Sequence, residues 1–114
     1  MAQSIINGER VYSKTWTGNG ITFTATRIGR IVSLQATNGG TTKDMAANEA
    51  VSYVPVGYRP ANFFLVWNAS HLTQVAVIVR YSDGGIAAGG NVTLQANSYL
   101  RFLATYVTND TEPS

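Results

Sequence analysis

Apolar and polar residues alternate along most of this chain with a period of two, a pattern typical of β-strands that bury one face. In 21–26 (ITFTAT) the apolar residues take one face and three threonines take the other. In 31–36 (IVSLQA) the second, fourth and sixth residues share an apolar face. Gly29 lies between the two segments and supplies the backbone freedom that a tight turn needs. The pattern therefore predicts a β-hairpin.

The same alternation continues in 73–81, where three valines and Tyr81 share one face. Glycine-rich turns are predicted on either side of the next short segment, at 82–85 (SDGG) and 88–91 (AGGN). Short strands separated by Gly and Asn turns are typical of two-layer or closed β-architectures. We therefore predict an all-β fold, a jelly-roll-like β-sandwich or barrel.

One segment departs from this pattern. Residues 38–48 read as a loop, and 44–50 (DMAANEA) has the composition of one helical turn. Asp44 would act as the N-cap of that turn.

A chain of 114 residues is long enough for one hydrophobic core but not for two domains. The ends differ in composition from the rest of the chain. We predict a β head domain over 11–108, with 1–10 as the stub of a longer protein's neck and 109–114 as a flexible tail.

Three predicted strands carry apolar residues on both faces; in 73–81, Ile78 lies opposite the three valines. In 62–67 (NFFLVW) apolar residues occupy consecutive positions, and in 100–106 Leu103 lies opposite the other apolar residues. A two-layer sandwich buries only one face of each sheet, so a second apolar face needs another partner. Either loops of the same chain cover these faces or the chain self-associates, and we favour self-association.

Charge, cysteine content and the length of the apolar runs exclude several kinds of partner and site. Charged residues make up only 12% of the chain, the net charge is +2, and the eight basic residues are scattered. Nucleic-acid binding requires clustered basic residues, so we expect no nucleic-acid partner. The chain has no cysteine, which excludes disulfides and thiolate metal sites. No apolar run reaches the length of a membrane span, and we expect no membrane insertion.

The residues that catalysis requires are scarce. There is one histidine, and the six carboxylates do not show the spacing of a metal site. The glycine-rich segment 84–90 matches neither phosphate-binding motif. We therefore predict that the protein is not an enzyme and uses no cofactor.

Saccharide binding requires fewer specialised residues. An aromatic ring stacks on a pyranose while polar side chains bond its hydroxyls. These residue types lie closest together in 67–71 and 80–83, which would lie at opposite ends of the strand between them. A crevice between subunits would then be needed to bring them together. The alternative is that they are core or turn residues, with Asp83 only closing its Asp-Gly turn. The candidate binding residues are Trp67, His71, Arg80, Tyr81 and Asp83.

Segment 54–60 (VPVGYRP) is a predicted corner. Its prolines fix φ and lack a backbone donor, while Gly57 permits a positive φ, so the segment cannot lie in a central strand. The apolar segment 61–67 follows and leads to polar residues at a rim, where binding usually occurs. For Arg59 we favour a structural role, hydrogen bonding to loop carbonyls, over contact with a ligand.

The order of these segments resembles a known family. The corner, a segment 11–16 that ends in tryptophan, the hairpin through Gly29 and an aromatic-rich segment 99–106 follow one another over most of the chain. This arrangement resembles the C-terminal head domains of bacteriophage tail-fibre and baseplate receptor-binding proteins.

The resemblance implies a homotrimer about a threefold axis, located in the virion at the distal tail or baseplate. It implies binding to bacterial surface polysaccharide and contact with other phage tail or baseplate proteins. In saccharide-binding heads of this family, a histidine is followed two residues later by aspartate, and a tryptophan and an arginine complete the site. His71 matches, but Thr73 replaces the aspartate; Arg80 or Arg101 would be the arginine and Tyr81 the ring.

Two other functions stay open at this point. The chain could be a structural virion or trimerisation module without its own ligand, or a free-standing lectin-like domain.

Overall fold

The chain folds into antiparallel β-sheets. The computed structural model describes residues 2–6, 9–62, 64–67, 76–89, 93–97 and 100–113. In these residues there is no helix, and the all-β class is confirmed. The strands are β1 (Ala2–Ile6), β2 (Glu9–Gly18), β3 (Ile21–Ile28), β4 (Ile31–Asn38), β5 (Ser52–Tyr53), β6 (Phe64–Trp67), β7 (Ala76–Val79), β8 (Gly85–Ala88) and β9 (Phe102–Val107).

The strands form two sheets around one core. The first has the order β1-β2-β3-β4-β9 and the second the order β5-β8-β7-β6, with all neighbours antiparallel. Phe23 and Leu34 of the first sheet and Val77 and Ile86 of the second are all fully buried in the same cluster. Each such side chain contributes roughly 1.5–3 kcal/mol on leaving water. Two sheets that share one apolar core are consistent with a β-sandwich.

The predicted hairpin is confirmed and is longer than the alternation indicated. It comprises β3 and β4, joined at Gly29, which has a φ of 60°. Its threonine face is exposed to half-buried, and the Thr15 and Thr24 hydroxyls lie 3.0 Å apart across β2 and β3. On the opposite, apolar face, the Trp16 and Phe23 rings stack with their centroids 5.6 Å apart, which stabilises the pairing of β2 with β3.

The predicted helical turn at 44–50 is wrong. Met45 forms a two-way backbone bridge with Leu94, with N–O distances of 2.7 and 2.8 Å. The Asp44 carboxylate does not cap a helix but accepts a hydrogen bond from the Ala96 amide at 2.8 Å. Contacts with a distant segment thus hold this loop in a non-helical conformation.

The second sheet differs in detail from the prediction. Tyr81 does not share the valine face of β7, because it lies in a turn and is 57% exposed. Ala88, placed in a predicted turn, belongs to β8; the rest of that predicted turn includes residues 90 and 91, which lie outside the described residues. Residues 73–75 of the predicted strand also lie outside them.

The ends of the chain pair with its interior. β1 adds a strand to the edge of the first sheet, with Ile6 opposite Glu9. The Thr108 amide donates to the Arg30 carbonyl at 2.9 Å. The neck and tail assignments of 1–10 and 109–114 stay predictions.

Candidate functional site

The VPVGYRP corner is held by hydrogen bonds from its own residues and from the end of the chain. Arg59 Nε donates to the Val54 carbonyl at 2.9 Å, which confirms the structural role that we favoured for this side chain. One oxygen of Asp110 accepts the backbone N–H groups of Gly57 and Arg59 at 2.9 and 3.1 Å. Gly57 has a φ of 106°, a conformation that other residues rarely adopt. Hydrogen bonds from Arg59 within the corner and from Asp110 near the end of the chain therefore hold the corner in its conformation.

Three buried side chains lie at the corner: Tyr58 of the corner itself, Tyr106 and Arg27. Tyr106 Oη donates to the Tyr58 carbonyl at 2.6 Å, and Arg27 Nη1 donates to the Gly57 carbonyl at 2.7 Å. The Tyr58 hydroxyl is buried and has no hydrogen-bond partner among the described residues. Burial raises the pKa of both phenols, and the nearby Asp110 carboxylate adds to the shift at Tyr106. Both rings thus fill the core in their neutral form.

The corner abuts the turn between β7 and β8. In that turn the Gly84 amide donates to the Arg80 carbonyl and the Arg80 amide to the Gly85 carbonyl, both at 2.9 Å. Gly84 has a φ of 77°, and a Cβ there would overlap the Val54 carbonyl oxygen. The Val54 amide in turn donates to the Gly84 carbonyl at 2.8 Å. The corner therefore supports the turn directly.

Arg80 and Asp83 form a bidentate ion pair on this turn. Arg80 Nε lies 3.0 Å from Asp83 Oδ1, and Nη2 lies 3.1 Å from Oδ2. The Gly85 amide donates to Asp83 Oδ1 at 2.8 Å, and Arg80 Nη1 donates to the Asn48 carbonyl at 2.9 Å. The hydrogen bonds from Arg80 and from the Gly85 amide lower the pKa of Asp83, and the bond to Asp83 raises the pKa of Arg80. Both groups are therefore charged over the whole neutral range.

A glycine makes room for the guanidinium. A Cβ at Gly85 would lie 2.6 Å from Arg80 Cζ, so Arg80 lies directly over this residue. Tyr53 is opposite Gly85 in the register of β5 and β8, and cross-strand partners share a face of the sheet. Tyr53 is 54% exposed and Tyr81 57% exposed. We call Tyr53, Arg80, Tyr81 and Asp83 the turn cluster.

Arg80 and Asp83 have donor and acceptor positions that other described residues do not occupy. A guanidinium has five N–H groups, and three of those on Arg80 donate to partners in the described part of the chain. Asp83 Oδ2 accepts one hydrogen bond there, although a carboxylate oxygen has two lone pairs. The side chains of Arg80 and Asp83 are 28% and 47% exposed. Donors and an acceptor position left free by the described residues, together with two exposed tyrosines, thus occur on this turn and on the strand beside it.

The six predicted binding residues are not all in one place. Arg80, Tyr81 and Asp83 belong to the turn cluster. Trp67 is opposite Ala76 in the register of β6 and β7, at the other end of these strands and roughly 13 Å along the sheet from Arg80 at about 3.3 Å per residue. Arg101 precedes β9 in the first sheet, and its Nη1 donates to the Gly39 carbonyl at 3.4 Å. His71 lies outside the described residues.

Tyr53 was not predicted from the sequence. It lies about 30 residues from Gly85 and meets it only because β5 pairs with β8 rather than with a sequential neighbour. A tyrosine just before the corner was the available signal, but alternation alone does not indicate which strand would lie beside it.

The described residues contain no group of three or more His, Asp or Glu side chains that could bind a metal ion. No helix in the described part is long and apolar enough to cross a membrane.

A scan against protein-family models found no match, and a search of curated proteins found no significant similarity.

Proposed function

We propose that this chain is the head domain of a bacteriophage receptor-binding protein, a jelly-roll-like trimer at the distal tail or baseplate that attaches to bacterial surface polysaccharide. The observation that carries the proposal is the turn cluster, in which two half-exposed tyrosines lie beside a fixed Arg-Asp pair. The order of the sequence segments supplies the link to phage heads.

The chemistry of the turn cluster suits a saccharide. A tyrosine ring is rigid and amphipathic, so it contributes contact area at low entropic cost. The Arg80–Asp83 pair offers both donors and acceptors, which a sugar hydroxyl needs because it both donates and accepts. The corner supports the turn through Val54, so these groups are positioned before a ligand arrives.

A row of exposed apolar residues supports self-association. On the outer face of the first sheet, Ile28 is opposite Ile31, and Ile31 is opposite Val107. These three side chains are 37%, 48% and 44% exposed, and Leu103 on the same strand face as Val107 is 64% exposed. Neighbouring subunits in a trimer would cover such a row. A structural virion module without a ligand would also present such a row. The adsorption experiment below distinguishes that module from a receptor-binding head.

The experiment is adsorption of labelled protein to a panel of bacterial strains. We expect saturable adsorption to at least one strain, and a mass by light scattering of about three times the 12.2 kDa chain. Tyr53→Ala and Tyr81→Ala should each weaken adsorption roughly 5- to 150-fold, the effect of losing about 1–3 kcal/mol per site.

The control variant is Thr42→Ala, at an exposed position in the loop between β4 and β5, away from the turn cluster and from the exposed apolar row. It should adsorb like the unmodified protein. A trimer that adsorbs to no strain would favour the structural module, and a monomer would contradict the proposed assembly.

A further inference from the structure

We infer that the turn cluster selects uncharged saccharides over acidic ones, with Asp83 as the residue that determines this selectivity and Tyr53 as a stacking ring. This inference rests on the proposed function, because it names the class of sugar that the same site would bind.

Arg80 and Asp83 balance each other's charge. Arg80 is the only cation in the turn cluster, and Asp83 contacts it through two bonds of 3.0 and 3.1 Å. The N–H groups of Arg80 that make no bond within the described residues belong to the same guanidinium that Asp83 contacts. An acidic sugar that reached them would therefore lie close to the Asp83 carboxylate, and two like charges at such short separations repel. The pair therefore presents a neutral group of donors and acceptors to a ligand.

The Asp83 carboxylate is held by more than one donor. Its Oδ1 accepts the Gly85 amide at 2.8 Å in addition to Arg80 Nε, so the carboxylate is anchored to the backbone of β8. An anionic ligand cannot displace it without leaving that amide without its acceptor. Arg80 is held as well, since its Nη1 donates to the Asn48 carbonyl.

Tyr53 is the ring on which a sugar would stack. Its register position opposite Gly85 places it on the sheet face over which the Arg80 guanidinium lies. More than half of its side chain is exposed, and Gly85 has no side chain to separate it from Arg80. A pyranose stacked on this ring would have its hydroxyls beside the Arg80–Asp83 pair.

The experiment is an NMR titration of the full chain with matched pairs of methyl glycosides. Each pair, such as methyl glucoside with methyl glucuronide and methyl galactoside with methyl galacturonide, differs only by a carboxylate at C6. We expect the neutral member of at least one pair to bind about three- to tenfold more tightly and to shift the amides of residues 53 and 80–85. Its affinity should change less than about twofold between low and high salt.

Three variants test the roles of Asp83 and Tyr53. Asp83→Asn keeps the size of the side chain and an acceptor for Gly85 but removes the charge, so it should narrow or reverse the preference for the neutral member. Tyr53→Phe should bind like the unmodified protein and Tyr53→Ala should not, because the ring rather than the hydroxyl stacks. Thr42→Ala is the control.

Equal or tighter binding of the acidic member by the unmodified protein would overturn the inference, and so would the absence of any shift with every neutral glycoside. These outcomes differ from failure of the proposed function. Adsorption to bacteria that requires the turn cluster but is inhibited by acidic sugars would contradict only the selectivity. Binding of neutral glycosides without adsorption to any strain would contradict only the host-attachment role.

Discussion

Two buried tyrosines at the corner, Tyr58 and Tyr106, differ in their hydrogen bonding and provide a matched pair for testing the packing there. Tyr106 donates its hydroxyl to the Tyr58 carbonyl at 2.6 Å, whereas the Tyr58 hydroxyl is buried without a partner among the described residues. Both rings lie in the core, with exposures of 7% and 2%. Replacing each tyrosine by phenylalanine removes one oxygen and keeps the ring.

The expected effects have opposite signs. Tyr106→Phe removes the donor from a buried carbonyl, which costs about 1–3 kcal/mol when the carbonyl finds no new partner. For a domain of this size that corresponds to a fall in Tm of roughly 4–15 °C. Tyr58→Phe removes a buried hydroxyl that makes no hydrogen bond to the described residues, so it should be neutral or stabilise the fold by up to about 1 kcal/mol.

The assay is urea unfolding of the two variants and the unmodified protein at one matched protein concentration, because subunit dissociation would contribute to the measured stability. A Tyr58→Phe variant that loses as much free energy of unfolding as Tyr106→Phe would refute the reasoning. It would mean that the Tyr58 hydroxyl has a partner and that the packing described beneath the corner is incorrect.

Three further outcomes follow from the same contacts. Gly85→Ala should displace the Arg80 guanidinium and abolish saccharide binding, but it should cost less than about 1 kcal/mol of stability because only the end of a flexible side chain has to move. A calorimetric titration that still shows binding would contradict the position of Arg80 over Gly85. Burial raises the pKa of Tyr106 and Tyr58 above the unfolded value of 10.0. The contribution of the two neutral phenols to stability should therefore be complete below pH 10.0 and decline as the pH rises from there through the folded values. Equal urea midpoints at about pH 8 and about pH 11 would contradict this pH dependence. Asp110→Ala should cost about 1–3 kcal/mol by thermal unfolding, since two corner amides lose their acceptor, and an unchanged Tm would show that these bonds do not stabilise the corner.

Local pattern predicted the parts of the fold that depend on neighbouring residues. The hairpin through Gly29 followed from alternation and a turn residue, and the Arg80–Asp83 pair lies within one turn, so their proximity could be predicted from spacing. The helical turn at 44–50 was wrong because Met45 bonds to Leu94, a contact between distant segments that propensity does not include.

The candidate site shows the same limit. Tyr53 joins the turn cluster through the pairing of β5 with β8, and Arg101 lies next to the other sheet because the strand that follows it, β9, pairs with β4. Neither pairing is between strands that follow one another along the chain. Composition indicated the residue types that a saccharide site requires, but only the strand order shows which of them meet.

The most direct test of the central claim is adsorption of the unmodified protein to a susceptible strain after two treatments of the cells. Periodate cleaves the vicinal diols of sugars, and protease removes surface proteins. If the chain recognises surface polysaccharide, periodate abolishes saturable adsorption and protease leaves it unchanged. Adsorption that survives periodate and disappears after protease would contradict the account.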